Sequence, residues 1–165
     1  MWDSLSQETK RVLLEADEIA RRSNRALNTA HWLLAFLITR CHAGELRGEV
    51  RLDEAKVLDV LAKLKNRDDA PEMLSRVKDA AVSLAMRSES VHISSATLLA
   101  AILRVPECLG ARVVVGAGVS LSDLRSRAIG VFMRARRAET PGGRLRPGGP
   151  LGGTLSETGD ATPPR

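Results

Sequence analysis

A chain of 165 residues is the size of one domain and can bury a hydrophobic core without disulfide or metal staples. Apolar residues make up 44% of it and charged residues 27%, but Tyr is absent and there are only two Phe and two Trp, so the core must be aliphatic and the composition favours helices over strands. The net charge of +5 is unevenly spread: residues 134–165 hold six Arg against three acids, which leaves the remainder nearly neutral and, with so few aromatics for base stacking, argues against a nucleic-acid partner.

Met1-Trp2-Asp3-Ser4 carries no basic region followed by an apolar run, so no secretory signal is visible, and nothing in the sequence fixes where Trp2 packs. Ser6 is placed to cap a first helix in which Val12, Leu13, Ala16, Ile19 and Ala20 share one face. Ser23-Asn24-Arg25 reads as a turn, and Thr29 is placed to cap a second helix through Leu33, Leu34, Leu37 and Ile38. The apolar-leaning stretch Ala26–Thr39 is interrupted by Asn28, Thr29 and His31 and lacks the roughly 18 residues needed to span a bilayer, so no membrane association is expected. A polar, Gly-containing stretch from His42 to Arg51 leads to a third periodic segment, Leu52–Leu64, and Pro71 fits the first turn of the helix that follows.

From that point the chain repeats itself. At an offset of 65 residues, Arg11, Val12, Ala16, Ala20, Arg22, Ser23, Leu33, Leu34 and Ala35 match Arg76, Val77, Ala81, Ala85, Arg87, Ser88, Leu98, Leu99 and Ala100 without a gap, and Thr29 faces Ser94. The agreement includes turn and cap positions as well as apolar ones, which marks a duplication. Each copy is a long helix, a turn and a shorter capped helix with an apolar face it cannot bury alone. The second copy continues through Cys108–Val115, the turn Gly116-Ala117-Gly118 and a last helix over Leu121–Arg137 that Ser120 or Ser122 could cap. The expected architecture is an all-α, pseudo-twofold bundle of seven or eight helices over residues 1–137, with repeats at about 5–66 and 70–137. From 138 to 165 the Pro/Gly-rich sequence offers only Leu145, Leu151 and Leu155 for burial, and it reads as a disordered tail or linker.

Chemistry-bearing constellations are sparse. No GxxxxGK[ST] occurs, so no nucleotide site is expected and a motor, if one is involved, lies on another chain or in a longer polypeptide. Cys41, His42, His92 and Cys108 lack the spacing of common zinc sites, and no metal or cofactor is expected. Cys41 and His42, as neighbours, point about 100° apart on a helix and make a poor nucleophile–base pair. Two cysteines are too few for a disulfide framework, which suggests free thiols in a reducing cytoplasm. His31 reads as a helix-start histidine bonding locally, and Trp32, opposite Thr97 in the second copy, reads as core or as the lining of a groove.

The duplicated pattern resembles the double Clp-N domain of the Clp/Hsp100 unfoldases. The residues that carry the resemblance are Thr29-Ala30-His31-Trp32-Leu33-Leu34 opening the second helix, Ser94-Ser95-Ala96-Thr97-Leu98-Leu99 in the second repeat, and Gly118-Val119-Ser120-Leu121-Ser122-Asp123-Leu124 near its end. The resemblance implies recognition rather than catalysis: a non-enzymatic, monomeric module that binds a Clp-type ATPase, protease subunit, adaptor or substrate, or a scaffold using the same fold for an unrelated partner. In Clp-C type domains the Glu of each capping motif is associated with phosphorylated arginine; Ala30 and Ser95 stand at those positions here, which removes the charge partners that ligand needs. The expected contact surface is therefore apolar and close to the inter-repeat groove, with Trp32 and Leu27 as anchors and Arg22, Arg25 and Arg87 as a polar rim.

Overall fold

A computed structural model describes residues 2–139. Among these residues eight helices run in the order α1 (Gln7–Arg22), α2 (Thr29–Ile38), α3 (Leu46–Val50), α4 (Glu54–Lys63), α5 (Met73–Arg87), α6 (Ser95–Ile102), α7 (Leu109–Gly116) and α8 (Leu121–Glu139), with a 3-10 turn over His42–Glu45. The last helix extends two residues past the expected boundary at Arg137, and the tail reading for residues 140–165 lies outside the described residues.

Two helices form the centre. Every residue of α2 from Thr29 to Leu37 and every residue of α6 is buried, the signature of a helix covered on all sides. The longer α1 and α5 lie against them through single stripes, Thr9, Val12, Ala16 and Ala20 on α1 and Met73, Val77, Ala81 and Ala85 on α5, with charged residues outward. The small Ala side chains let the paired helices approach closely. The repeats also interlock: α2 packs along α7 of the second repeat, and α6 meets the 3-10 turn of the first. Gly110 serves this crossing, because a Cβ there would stand 2.9 Å from the Thr29 carbonyl oxygen.

The duplication is visible in backbone detail. Asn24 and Glu89, 65 residues apart, both adopt the left-handed conformation (φ 52°) just past α1 and α5, and the following amides of Arg25 and Ser90 donate to Ala20 and Ala85. This is the same helix stop used twice. The starts differ. Ser6 caps α1 and Ser94 caps α6, but α2 is capped by Asn28 rather than Thr29: the Asn28 side chain accepts from the Ala30 and His31 amides, while Thr29 Oγ1 accepts from Gly110 N at 2.8 Å. Pro71 lies in the turn before α5 rather than within its first turn, and Ser120 Oγ accepts from Asp123 N at the start of α8. Leu34 and Leu99 are buried at equivalent positions in the two central helices.

The N-terminal segment crosses to the second repeat. Ser6 N donates to Ile93 O (3.1 Å) and Ile93 N to Ser4 O (2.9 Å), and this pins Trp2 against Trp32 with ring centroids 6.3 Å apart and Lys78 Nζ 5.2 Å from the Trp2 ring.

Candidate functional site

The start of α6 is held by a carboxylate from the first repeat, and the start of α2 by one from the segment between the repeats. Glu8, in the first turn of α1, accepts from Ser95 N (3.2 Å) and Ser95 Oγ (2.7 Å), and its second oxygen accepts from His42 N (3.0 Å) and lies 2.8 Å from His42 Nδ1. Burial pushes the Glu8 carboxyl up, but the bonds from His42 and Ser95 outweigh it and hold the group below its ordinary value. Asp69, just before α5, accepts from Thr29 N at the start of α2 (2.6 Å) and Leu109 N at the start of α7 (2.5 Å). Sequence reasoning singled out neither acid, because neither has an acidic counterpart at the repeat offset: Met73 faces Glu8, and Ser4 faces Asp69.

The arginines expected at a single contact surface are divided. Between α1, α2 and α4 lies a cavity of about 280 Å³ with an apolar lining from Ile19, Leu34, Leu58 and Leu61 and with Arg25 and Arg67 at its edge. The corresponding space between α5, α6 and α8, about 200 Å³, is lined by Leu84, Ala100, Ile129, Phe132 and Met133, with Arg87 and Arg104 beside it. Ile19 and Leu84 are repeat equivalents, as are Ser23 and Ser88, so the grooves are two versions of one site. Arg25 belongs to the first and Arg87 to the second, while Arg22 is exposed and pairs with Glu18. Leu27 is half-buried against the core.

Trp32 lies elsewhere. At 1% exposure beneath Trp2 it presents no area to a partner, which corrects the expectation of an anchor there. Its Nε1 has no hydrogen-bond partner among the described residues, so the ring is retained for its bulk. The residues that do present apolar surface beside the grooves, Leu58, Ile129 and Met133, are ordinary members of amphipathic stripes, and only the packing of neighbouring helices distinguishes them from core.

His31 is the neutral partner of a capping box: its Nδ1 accepts from Asn28 N at 3.1 Å, and burial, reinforced by the Arg25 charge, lowers its pKa. Both cysteines are free thiols, and burial raises both above the ordinary thiol value, so neither is activated as a nucleophile. Cys108 Sγ instead accepts from Ala111 N to cap α7. Among the described residues no three His, Cys, Asp or Glu side chains converge to hold a metal ion, and no helix is long and apolar enough to cross a membrane.

No family model and no curated protein matches this sequence. The structure has clear counterparts. The N-terminal domain of the caseinolytic protease associated chaperone ClpD from Arabidopsis thaliana superposes with a TM-score of 0.65 at 15% identity, over 80% of this chain and 99% of that domain. The fold is that of a Clp N-terminal domain. A chain from structural investigations of a malarial protein secretion system shares the Clp-N fold, with a TM-score of 0.62 and 14% identity over 79% of this chain and 96% of the other. At such identities the likeness is one of fold and assigns neither groove a ligand.

Proposed function

We propose that this chain is a protein-binding module that recognises a partner of a Clp-type machine, whether the ATPase ring, a protease subunit, an adaptor or a substrate, and performs no chemistry of its own. The observation that carries this reading is the pair of equivalent open grooves, each with an apolar lining and arginines beside it. An apolar groove edged by cationic groups suits a peptide or helix bearing hydrophobic anchors and acidic flanks. The unactivated thiols, one buried and one partly buried, and the Clp-N fold fit the same reading.

A second reading, a scaffold or regulator whose partner is unrelated to Clp proteolysis, draws on Ala30 and Ser95, where the acidic residues of Clp-C type domains are missing. Capture by the immobilised full chain separates the two, with Leu58→Glu and Met133→Glu as surface variants that block one groove each. Recovery of Clp ATPase or protease subunits that is lost in a groove variant supports the first. Groove-dependent capture of other proteins alone moves the assignment to the second, and capture identical in wild type and both variants sinks both.

A further inference from the structure

The two grooves differ in how their floors end. α4 and α8 start alike, with Asp53 Oδ1 accepting from Lys56 N and Ser120 Oγ from Asp123 N, but α4 stops after 10 residues whereas α8 runs for 19. The second half of α8 supplies Ile129, Phe132 and Met133 to the groove between α5, α6 and α8, so the floor there continues apolar. Past the end of α4 the chain turns instead, and the groove between α1, α2 and α4 opens into a depression of about 540 Å³ lined by Arg25, Lys63, Lys65 and Arg67. Arg25, Ala62 and Arg67 line both spaces, so apolar groove and basic depression are one continuous surface. The basic end is also braced. Arg67 folds back on α4, donating from Nη2 to Ala62 O (2.6 Å) and from Nε to Leu64 O (3.3 Å), and Arg112 Nη2 of α7 donates to Asn66 O (3.1 Å). Lys63 pairs with Asp59, whereas Arg25 and Lys65 are exposed and form no ion pair among the described residues. Asp69 is spent on the Thr29 and Leu109 amides, which leaves Asp68 as the acid lining the depression among the described residues.

We propose that the groove between α1, α2 and α4 takes an acidic segment of a protein partner, whose apolar side chains enter between Ile19, Leu34, Leu58 and Leu61 and whose following carboxylates lie on Arg25, Lys65 and Arg67. It rests on the reading of the chain as a protein-binding module and names the chemistry that one groove selects. Leu58 is 47% exposed on the groove wall, and an apolar anchor there takes that area out of water. Charge then fixes direction. With the cations gathered at one end, a segment laid in reverse carries its carboxylates away from them and forfeits the attraction. A nucleic acid suits this surface poorly, because the groove that adjoins the cations is aliphatic and offers no aromatic face for a base among its described lining residues.

Fluorescence anisotropy on the full chain tests this with a labelled synthetic peptide, Leu-Ala-Ala-Leu followed by four Glu, against the same peptide ending in four Lys. The Glu peptide should bind saturably and at least about tenfold more tightly than the Lys peptide. Arg25→Glu with Lys65→Glu, and separately Leu58→Ser, should each weaken it about tenfold, whereas Arg87→Glu with Arg104→Glu beside the other groove should leave it unchanged. The three changes fall on exposed side chains, and circular dichroism matching the wild type shows that the fold is kept. In NMR the His31 ring, which lines this groove, should shift on adding the Glu peptide while the His92 ring does not. Equal affinity for the two peptides, no saturation by about millimolar concentration, or a loss confined to the Arg87 and Arg104 variant overturns the proposal. Single-stranded DNA of the same charge bound as tightly as the Glu peptide also overturns it, since the basic end then answers to any polyanion. None of these outcomes bears on whether Clp subunits are captured, so the failure of this inference and of the module reading are told apart.

Discussion

Glu8 Oε1 accepts both the backbone N–H and the hydroxyl of Ser95, 87 residues away, and so ties the first helix of one repeat to the central helix of the other. The bond has a pH signature. Because the Glu8 pKa is lowered in the folded state from about 4.5, its contribution to stability is complete above that value and is lost as pH falls through the lower folded value. His31 acts in the same direction at higher pH: its folded pKa is lowered from 6.5, so the fold favours neutral imidazole and loses stability as pH falls below 6.5. Urea midpoints measured from pH 7 to pH 3 should fall in two stages. Glu8→Gln should flatten the lower stage, and an unchanged lower stage would remove Glu8 as its origin.

The central helices predict matched costs. Leu34 and Leu99 are 5% and 3% exposed at equivalent positions, so Leu→Ala at either should cost about 2–5 kcal/mol by denaturant unfolding. A loss below about 0.5 kcal/mol at one site would show that the two repeats do not share one core.

Two helical glycines should respond oppositely to Ala. At Gly48 in α3, none of the described residues comes within 4 Å of the place a methyl group would take, so Gly48→Ala should stabilise by about 0.5–1 kcal/mol through helix propensity. A methyl group at Gly110 would meet the Thr29 carbonyl oxygen at 2.9 Å and Ile102 Cγ2 at 3.0 Å, and backbone cannot yield as a side-chain tip does. Gly110→Ala should cost about 1–3 kcal/mol. Melting temperatures shifting in the same direction for both variants would contradict the close crossing of α2 and α7.

Phosphorylated arginine should not bind. Its guanidinium needs a carboxylate with free acceptor capacity, and the capping positions hold Ala30 and Ser95. The carboxylate that does reach Ser95 is that of Glu8, which is 13% exposed and already engaged by Ser95 and His42. Calorimetric titration of free phosphoarginine should show no saturable heat, and saturation at micromolar concentration would mean that Glu8 exchanges its partners for the ligand.

Helix order and the duplication were legible because they rest on local signals: the stripe Val12, Ala16, Ala20 repeats as Val77, Ala81, Ala85, and Ser6 caps where it stands. What escaped depends on contacts between separate elements, within a repeat as well as across the two. Glu8 and Asp69 do one job from unrelated repeat positions, and so do Arg47 and Arg125, which donate to the Leu37 and Leu103 carbonyls at the ends of α2 and α6. A sequence comparison at fixed offset aligns residues, whereas these pairs preserve only the atom that arrives. Trp32 was ambiguous for the same reason: its cover is Trp2, whose position is set by Ser4 and Ser6 pairing with Ile93 across the repeat boundary.

The interlocking of α2 with α7 also governs how the chain acquires its structure. Isolated helices of this length form in about a microsecond but are marginal in water, and here neither central helix is covered by its own repeat alone. The contact that completes the core, Thr29 with Gly110, closes 81 residues of chain. Closing a loop of that length is slow beside helix formation, so a half-length fragment should show little native structure by circular dichroism. The duplicated halves should therefore unfold as one cooperative unit, because each copy supplies surface that the other needs to bury its central helix.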